Sequence, residues 1–372
     1  MMRKLFLLGV FWVAVLGTAG CGQEYAAEKE MWHAQKAVKE ILANPEATPP
    51  GQFEVTANRF RTIIKKYPDW PDKIKAQWAI VELYIARKHY SQAEKELEKI
   101  ITDHSDNKEM CAQVKATIGS LYEVQHNWEK ASTIYERLIR DCPQTSQGLA
   151  MPFYLATRYQ KLGDFSKAAL AYLEAIKRYE AVIKSGPTDK IKLMAKGLTV
   201  KARFALAILY EREERWPEAL AILKKIKSEY PYSQEGLKIP LHIANHYKLR
   251  NDKVQAGNAF KEAINYYQKI YEENKENPLG LIALNLESTG YFNQKKWKEA
   301  IETQEKIIKE YPKSPGIPLA LLNMGIVYER ELKDKNKAIA TYQRLIKKSP
   351  RSRLAQVAQK RVDELNPVSV RK

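Results

Sequence analysis

Residues 119–143 read GSLYEVQHNWEKASTIYERLIRDCP, and five positions in this stretch decide the fold. Tyr122 is followed nine residues later by Ala131. Gly119 stands three residues before the tyrosine, Leu138 seven after the alanine and Pro143 twelve after it. The apolar positions recur at helical, not alternating, spacing. A small residue where two helices cross lets their backbones approach, and a leucine there would overpack by about 1–3 kcal/mol. The tyrosine fills a wedge between helices and keeps its hydroxyl at an edge. A proline just past the second helix cannot continue it and forces a turn. The stretch reads as two helices folded into a hairpin.

The pattern returns along the chain. Tyr84/Ala93, Tyr159/Ala168, Tyr210/Ala219, Tyr247/Ala256 and Tyr291/Ala300 keep the same spacing, and Tyr328/Ala338 carries one extra residue, expected within Lys333–Lys337. Three residues before each tyrosine stands Val81, Gly119, Ala156, Ala207, Ala244, Ser288 or Gly325. Seven after each alanine stands Ile100, Leu138, Ala175, Ile226, Ala263, Ile307 or Leu345. Pro231, Pro312 and Pro350 repeat the role of Pro143.

These residues resemble the tetratricopeptide repeat, whose period of about 34 matches theirs. The resemblance covers seven units over Asp72–Ser349, with a degenerate eighth at Glu24–Pro68 keyed by Phe60, Ile63 and Pro68. It implies an all-α fold: a right-handed α-solenoid of seven to eight helical hairpins whose stacking supplies the core, closed by a C-terminal capping helix over Arg351–Leu365. Two intervals are long. Around Ser185-Gly186-Pro187-Thr188 a lengthened second helix should turn into a long helix from Asp189, dividing an N-terminal array (21–186) from a C-terminal array with its cap (187–366). Another long second helix should end near Asn277-Pro278, and residues 367–372 form a flexible tail.

Composition narrows the function. Among 372 residues, 45% are apolar and 10% aromatic, too rich for a disordered chain. Arg3 and Lys4, the uncharged run Leu5–Leu16 and the small residues Gly17–Gly20 follow the plan of a cleaved secretory signal over 1–20. The apolar run is too short for a spanning helix, which needs about 20 residues. With Cys21 at its end, the segment resembles the bacterial lipoprotein cleavage box, although Thr18 stands where leucine is usual. That resemblance implies lipidation of Cys21, with several acyl chains giving stable anchoring. By the same resemblance, Gly22 in place of an aspartate implies the outer membrane, facing the periplasm, as the destination. The other cysteines, Cys111 and Cys142, fall at neighbouring ends of one hairpin. In an oxidising compartment they are expected to form a disulfide.

No motif for hydrolysis, nucleotide binding or a metalloprotease is present, so no enzyme activity, metal or cofactor is expected. His242 and His246 share a helix face, but two ligands leave a four-coordinate zinc site incomplete. Glu211, Glu213 and Glu214 beside Arg212 and Arg215 read as a solvated turn. Trp128, Trp216 and Trp297 open second helices as packing residues. The repeat resemblance implies a concave groove lined by first helices. Its family positions fall here on Phe153, Tyr154, Thr157 and Lys161; on Lys201, Phe204, Ile208 and Arg212; and on Lys238, His242, Asn245 and Lys248.

The formal charge of +18 first invites nucleic acid, but export argues against that partner. The charge also rises along the chain, from −1 over 22–107 to +9 over 278–372. The expected partners are therefore envelope proteins or peptide segments, or peptidoglycan or another anionic polymer. The whole resembles the tetratricopeptide lipoprotein subunit of the outer-membrane β-barrel assembly machinery. Pilotins, exopolysaccharide-export lipoproteins and peptidoglycan-binding modules share the plan.

Overall fold

In the computed structural model, residues 22–366 are described; the signal segment, Cys21 and residues 367–372 lie outside them. Helices pair in chain order: α1 (Gly22–Ala43) with α2 (Pro50–Lys66), α3 (Lys73–Ala86) with α4 (Tyr90–Asp103), and α5 (Lys108–Val124) with α6 (Trp128–Asp141). α7 (Ser146–Lys161) pairs with α8 (Phe165–Ser185), α9 (Asp189–Arg212) with α10 (Trp216–Glu229), and α11 (Gln234–Leu249) with α12 (Lys253–Glu273). α13 (Pro278–Asn293) pairs with α14 (Trp297–Glu310), and α15 (Ile317–Ile326) runs on through a π-helical turn, Val327–Glu331, to α16 (Lys335–Lys348). α17 (Arg353–Leu365) closes the chain. The fold is an all-α solenoid of such hairpins with a capping helix.

The chain forms two compact units, one through Leu198 and one from Thr199. The turn after α8 stands at Gly186–Thr188, where the sequence places it, but the unit boundary falls within α9, because the first part of this 24-residue helix belongs to unit 1.

The hairpin cores are built from the spaced residues. All seven alanines of the pattern are buried, as are the seven residues three places before the tyrosines, small in all but Val81, and the seven apolar positions after the alanines. Second helices begin at Trp128, Trp216 and Trp297, and α6, α10, α14 and α16 each end two residues before their proline. A second tyrosine, four residues past the alanine, explains the smallest crossing residues. A Cβ on Gly119 would stand 2.3 Å from the Tyr135 ring, and one on Gly325 would stand 2.3 Å from the Tyr342 ring. Where the crossing residue is Ser288, the second helix instead offers Gln304, whose amide donates to the Ser288 hydroxyl at 2.9 Å.

Each of the seven patterned hairpins turns in the same way. Four residues after the tyrosine the backbone enters the left-handed region, at Lys88, His126, Gly163, Glu214, Asn251 and Lys295. The next N–H donates back to the tyrosine carbonyl, as His89 does to Tyr84 at 2.8 Å and Asn127 to Tyr122 at 2.8 Å. This is a Schellman closure, which satisfies carbonyls that the helix end leaves open. In the last repeat the left-handed residue is Lys333, five after Tyr328, and Asp334 donates to the Tyr328 carbonyl at 2.8 Å. The inserted residue is therefore not within Lys333–Lys337. The π-helical turn takes it up before Lys333, since one wider turn absorbs one residue without shifting the register on either side.

The two lengthened second helices, α8 and α12, both have 21 residues and make the same contact. Tyr179 donates to the Leu149 carbonyl at 2.8 Å and accepts from the Phe153 N–H at 3.0 Å, so its hydroxyl is inserted into the α7 ladder beside buried Pro152. Tyr267 donates to the Leu237 carbonyl at 2.7 Å beside Pro240 in α11. A proline disturbs a helix ladder, and here a buried hydroxyl from the partner helix occupies the opening.

Candidate partner-binding wall

Within each unit, successive first helices pack on one another: α1 on α3, α5 on α7, α11 on α13 and α15 on α17. The residues they present side by side form the wall on which a partner would lie.

In unit 2 the last turn of α9 faces α11. The Glu211 carboxylate sits between two imidazoles, 2.7 Å from His242 Nε2 and 2.5 Å from His246 Nδ1. Glu211 is thus no freely solvated turn residue; its two oxygens tie α9 to α11. The neighbouring acids do remain at the turn, Glu213 near Arg215 and Glu214 near Arg250. His246 is buried and lies flat on Trp216, ring centroids 3.4 Å apart, while Tyr247 packs edge-on to both rings. The Trp216 N–H donates to the Tyr247 hydroxyl at 3.3 Å. Phe204 meets His242 edge-on at 5.8 Å. Further along, Lys248 donates to the Asn293 carbonyl, and the Asn293 amide donates to Asn245 at 3.1 Å, joining α11 to α13. Lys201 and Lys238 are exposed on this wall, Ile208 is half-buried and Arg212 is exposed. Among the described residues no three His, Cys, Asp or Glu side chains are grouped to hold a metal ion.

In unit 1 the expected residues divide. Tyr154 reaches across from α7 to α5, donating to Glu123 at 2.6 Å and packing edge-on against Tyr135. Lys161 is exposed. Phe153 and Thr157 instead turn into their own hairpin, where Phe153 packs on Tyr172 and Thr157 lies 3.3 Å from the Tyr172 hydroxyl. The reason is again the second-helix tyrosine, which draws the side chains one turn apart on α7 toward α8. Arg158 stacks over Trp128, and its Nε is the one buried side-chain nitrogen or oxygen without a hydrogen-bond partner among the described residues. Cys111 and Cys142 are buried free thiols here, not a disulfide. Cys111 donates to the His104 carbonyl at 3.3 Å, which holds its sulfur toward the preceding loop. Burial first, with nearby Asp141 and Cys111 adding, pushes the Cys142 thiol above its ordinary range, so it is held protonated.

Models of the tetratricopeptide repeat match residues 154–233 and 247–315, and another such model matches 319–352. Over those residues the hairpins match tetratricopeptide repeats. Repeats of this kind suggest a protein-interaction scaffold. No curated protein sequence matches the chain. Among solved structures it is similar to a tetratricopeptide repeat protein from Parabacteroides merdae, at 13% identity over 92% of this chain and 99% of that one, with a TM-score of 0.30. The C-terminal part of a tetratricopeptide-containing protein from Cytophaga hutchinsonii is 15% identical over 75% and 97%, with a TM-score of 0.40. A signal-transduction ATPase with a tetratricopeptide sensor from Pyrococcus horikoshii is 16% identical; the match covers 94% of this chain and 50% of that one, with a TM-score of 0.42.

Sequence reading missed three wall residues: Glu211 as a bridge, Asn293, and Arg158. Glu211 lies one residue past the repeat tyrosine Tyr210, and His242 and His246 stand 31 and 35 residues later, about one repeat on. That one-repeat offset between an acid and a histidine pair was the available signal. Asn293 and Arg158 carry none, because their roles depend on neighbouring helices.

Proposed function

We propose that this chain is a lipid-anchored tetratricopeptide scaffold facing the periplasm from the outer membrane. In this reading it is held at Cys21 and binds envelope protein partners along the first helices of unit 2. The observation that carries the binding surface is the α9–α11–α13 wall, where Glu211, His242, Asn245 and Asn293 are fixed by one another and exposed Lys201 and Lys238 project beside them. Preordered polar groups flanked by cations suit an extended peptide segment with carboxylates, since little ordering is lost on binding. The Cys21 segment supports the address. Assembly of outer-membrane proteins is the role this plan fits best.

Affinity capture from native envelope tests the reading. The parent chain should retain a reproducible envelope protein that Lys238→Glu with Lys248→Glu loses. Retention of every partner by that variant refutes the wall as the binding surface. Capture of peptidoglycan alone, weakened by salt, would replace the protein partner with a polymer.

A further inference from the structure

One helix face remains uncovered at the start of the chain. α1 buries Ala27, Met31, Ala34, Val38 and Ile41, and packs on α2 and α3. Its opposite face carries Tyr25, Lys29, Trp32, Lys36 and Lys39, spaced 4, 3, 4 and 3 residues apart, so all five fall on one stripe. All five are exposed, Tyr25 at 70% and Trp32 at 57%, high values for large aromatics with a core available beside them. Glu28 and Glu40 lie at the margins of the stripe, and Glu30 is engaged by Lys66 at 2.6 Å. The face is thus aromatic and cationic, although residues 22–107 as a whole carry −1. Residue 21 stands one helical period before Tyr25 in the sequence.

We infer that this face of α1 lies on an anionic lipid bilayer, with Tyr25 and Trp32 at headgroup level and Lys29, Lys36 and Lys39 against lipid phosphates. Tryptophan and tyrosine favour the membrane–water boundary because the ring is apolar and its polar edge stays wet. Lysines extend their stems along an apolar surface and keep the ammonium at the charged layer. No described helix is long and apolar enough to cross a membrane, so α1 lies on the surface. The inference deepens the lipid-anchor reading: acyl chains at Cys21 hold the chain at the bilayer, and this face fixes how its first hairpin lies there.

The test uses the chain from Gly22 to Lys372, which holds every described helix and carries no acyl group. It should cosediment with vesicles of phosphatidylglycerol and phosphatidylethanolamine and much less with phosphatidylcholine alone. Lys29→Glu with Lys36→Glu should weaken binding roughly tenfold or more. Tyr25→Ala with Trp32→Ala should also weaken it, with the melting curve unchanged because both side chains are exposed. Lys347→Glu with Lys348→Glu, far along the chain, should leave binding intact. The inference is overturned if the parent chain does not bind, or if the distal pair abolishes binding while the α1 variants do not. Palmitate labelling of the full chain and of its Cys21→Ser variant reads the anchor separately. Labelling without vesicle binding by α1 overturns only the face; vesicle binding without labelling overturns only the anchor.

Discussion

At the scale of single residues, the fold rests on complementary pairs across the hairpin crossing. Gly119 faces the Tyr135 ring, Gly325 faces Tyr342, and Ser288 faces Gln304. Gly119→Ala places a methyl group 2.3 Å from the Tyr135 ring. It should lower stability by about 1–3 kcal/mol, and Tyr135→Leu in the same chain should recover part of that loss. Denaturant midpoints of the two single variants and the double variant measure the coupling; purely additive losses would show that the ring and the glycine are not partners. The first member of each pair was legible in the sequence as a small residue before a tyrosine. The second was not, because Leu97, Leu223 and Phe260 stand at the same place in other repeats and hide the pattern. The Glu211 bridge was illegible for a related reason: its meaning comes only when α11 is laid beside α9.

At the scale of elements, the sequence located almost every helix, both long second helices and the capping helix. The physical reason is that seven copies average out local noise in a periodic signal. The degenerate first hairpin was placed by Phe60 and Ile63, which are indeed buried. What the sequence concealed was turn geometry. The left-handed position is glycine only at Gly163, and lysine, histidine, glutamate or asparagine elsewhere, so no glycine marks the helix end. A left-handed residue with a side chain is strained by roughly 1–2 kcal/mol, while glycine gives back part of the gain as lost chain freedom. Lys295→Gly should therefore raise stability by about 0.5–1 kcal/mol, seen as a higher urea midpoint. A lower midpoint would mean the Lys295 turn is not held as described. The same hidden geometry misplaced the inserted residue of the last repeat, which the π-helical turn absorbs one step earlier than the turn itself.

At the scale of the whole molecule, many phenol groups are tied into the packing. Burial raises the hydroxyls of Tyr135, Tyr179 and Tyr267 above their ordinary range. For Tyr122 the bond to Glu94 comes first, ahead of burial, and the pKa is pushed up to about 12. In the folded chain these groups hold their protons where the unfolded chain loses them, at about pH 10. Stability from them is complete below pH 10 and is lost as pH rises through the folded values. Unfolding by urea should need less denaturant at pH 11 than at pH 9, with tyrosinate absorbance rising together with unfolding. Tyrosinate appearing fully before any loss of helix would contradict the packing described.

The central claim is that partners bind on the first helices of unit 2. A photocrosslinking amino acid placed at Lys238 on α11, or at Lys261 on the second helix α12, both exposed, compares the two faces inside living cells. The wall described here requires a discrete envelope-protein adduct from position 238 and none from position 261. Adducts from 261 with none from 238 would contradict it.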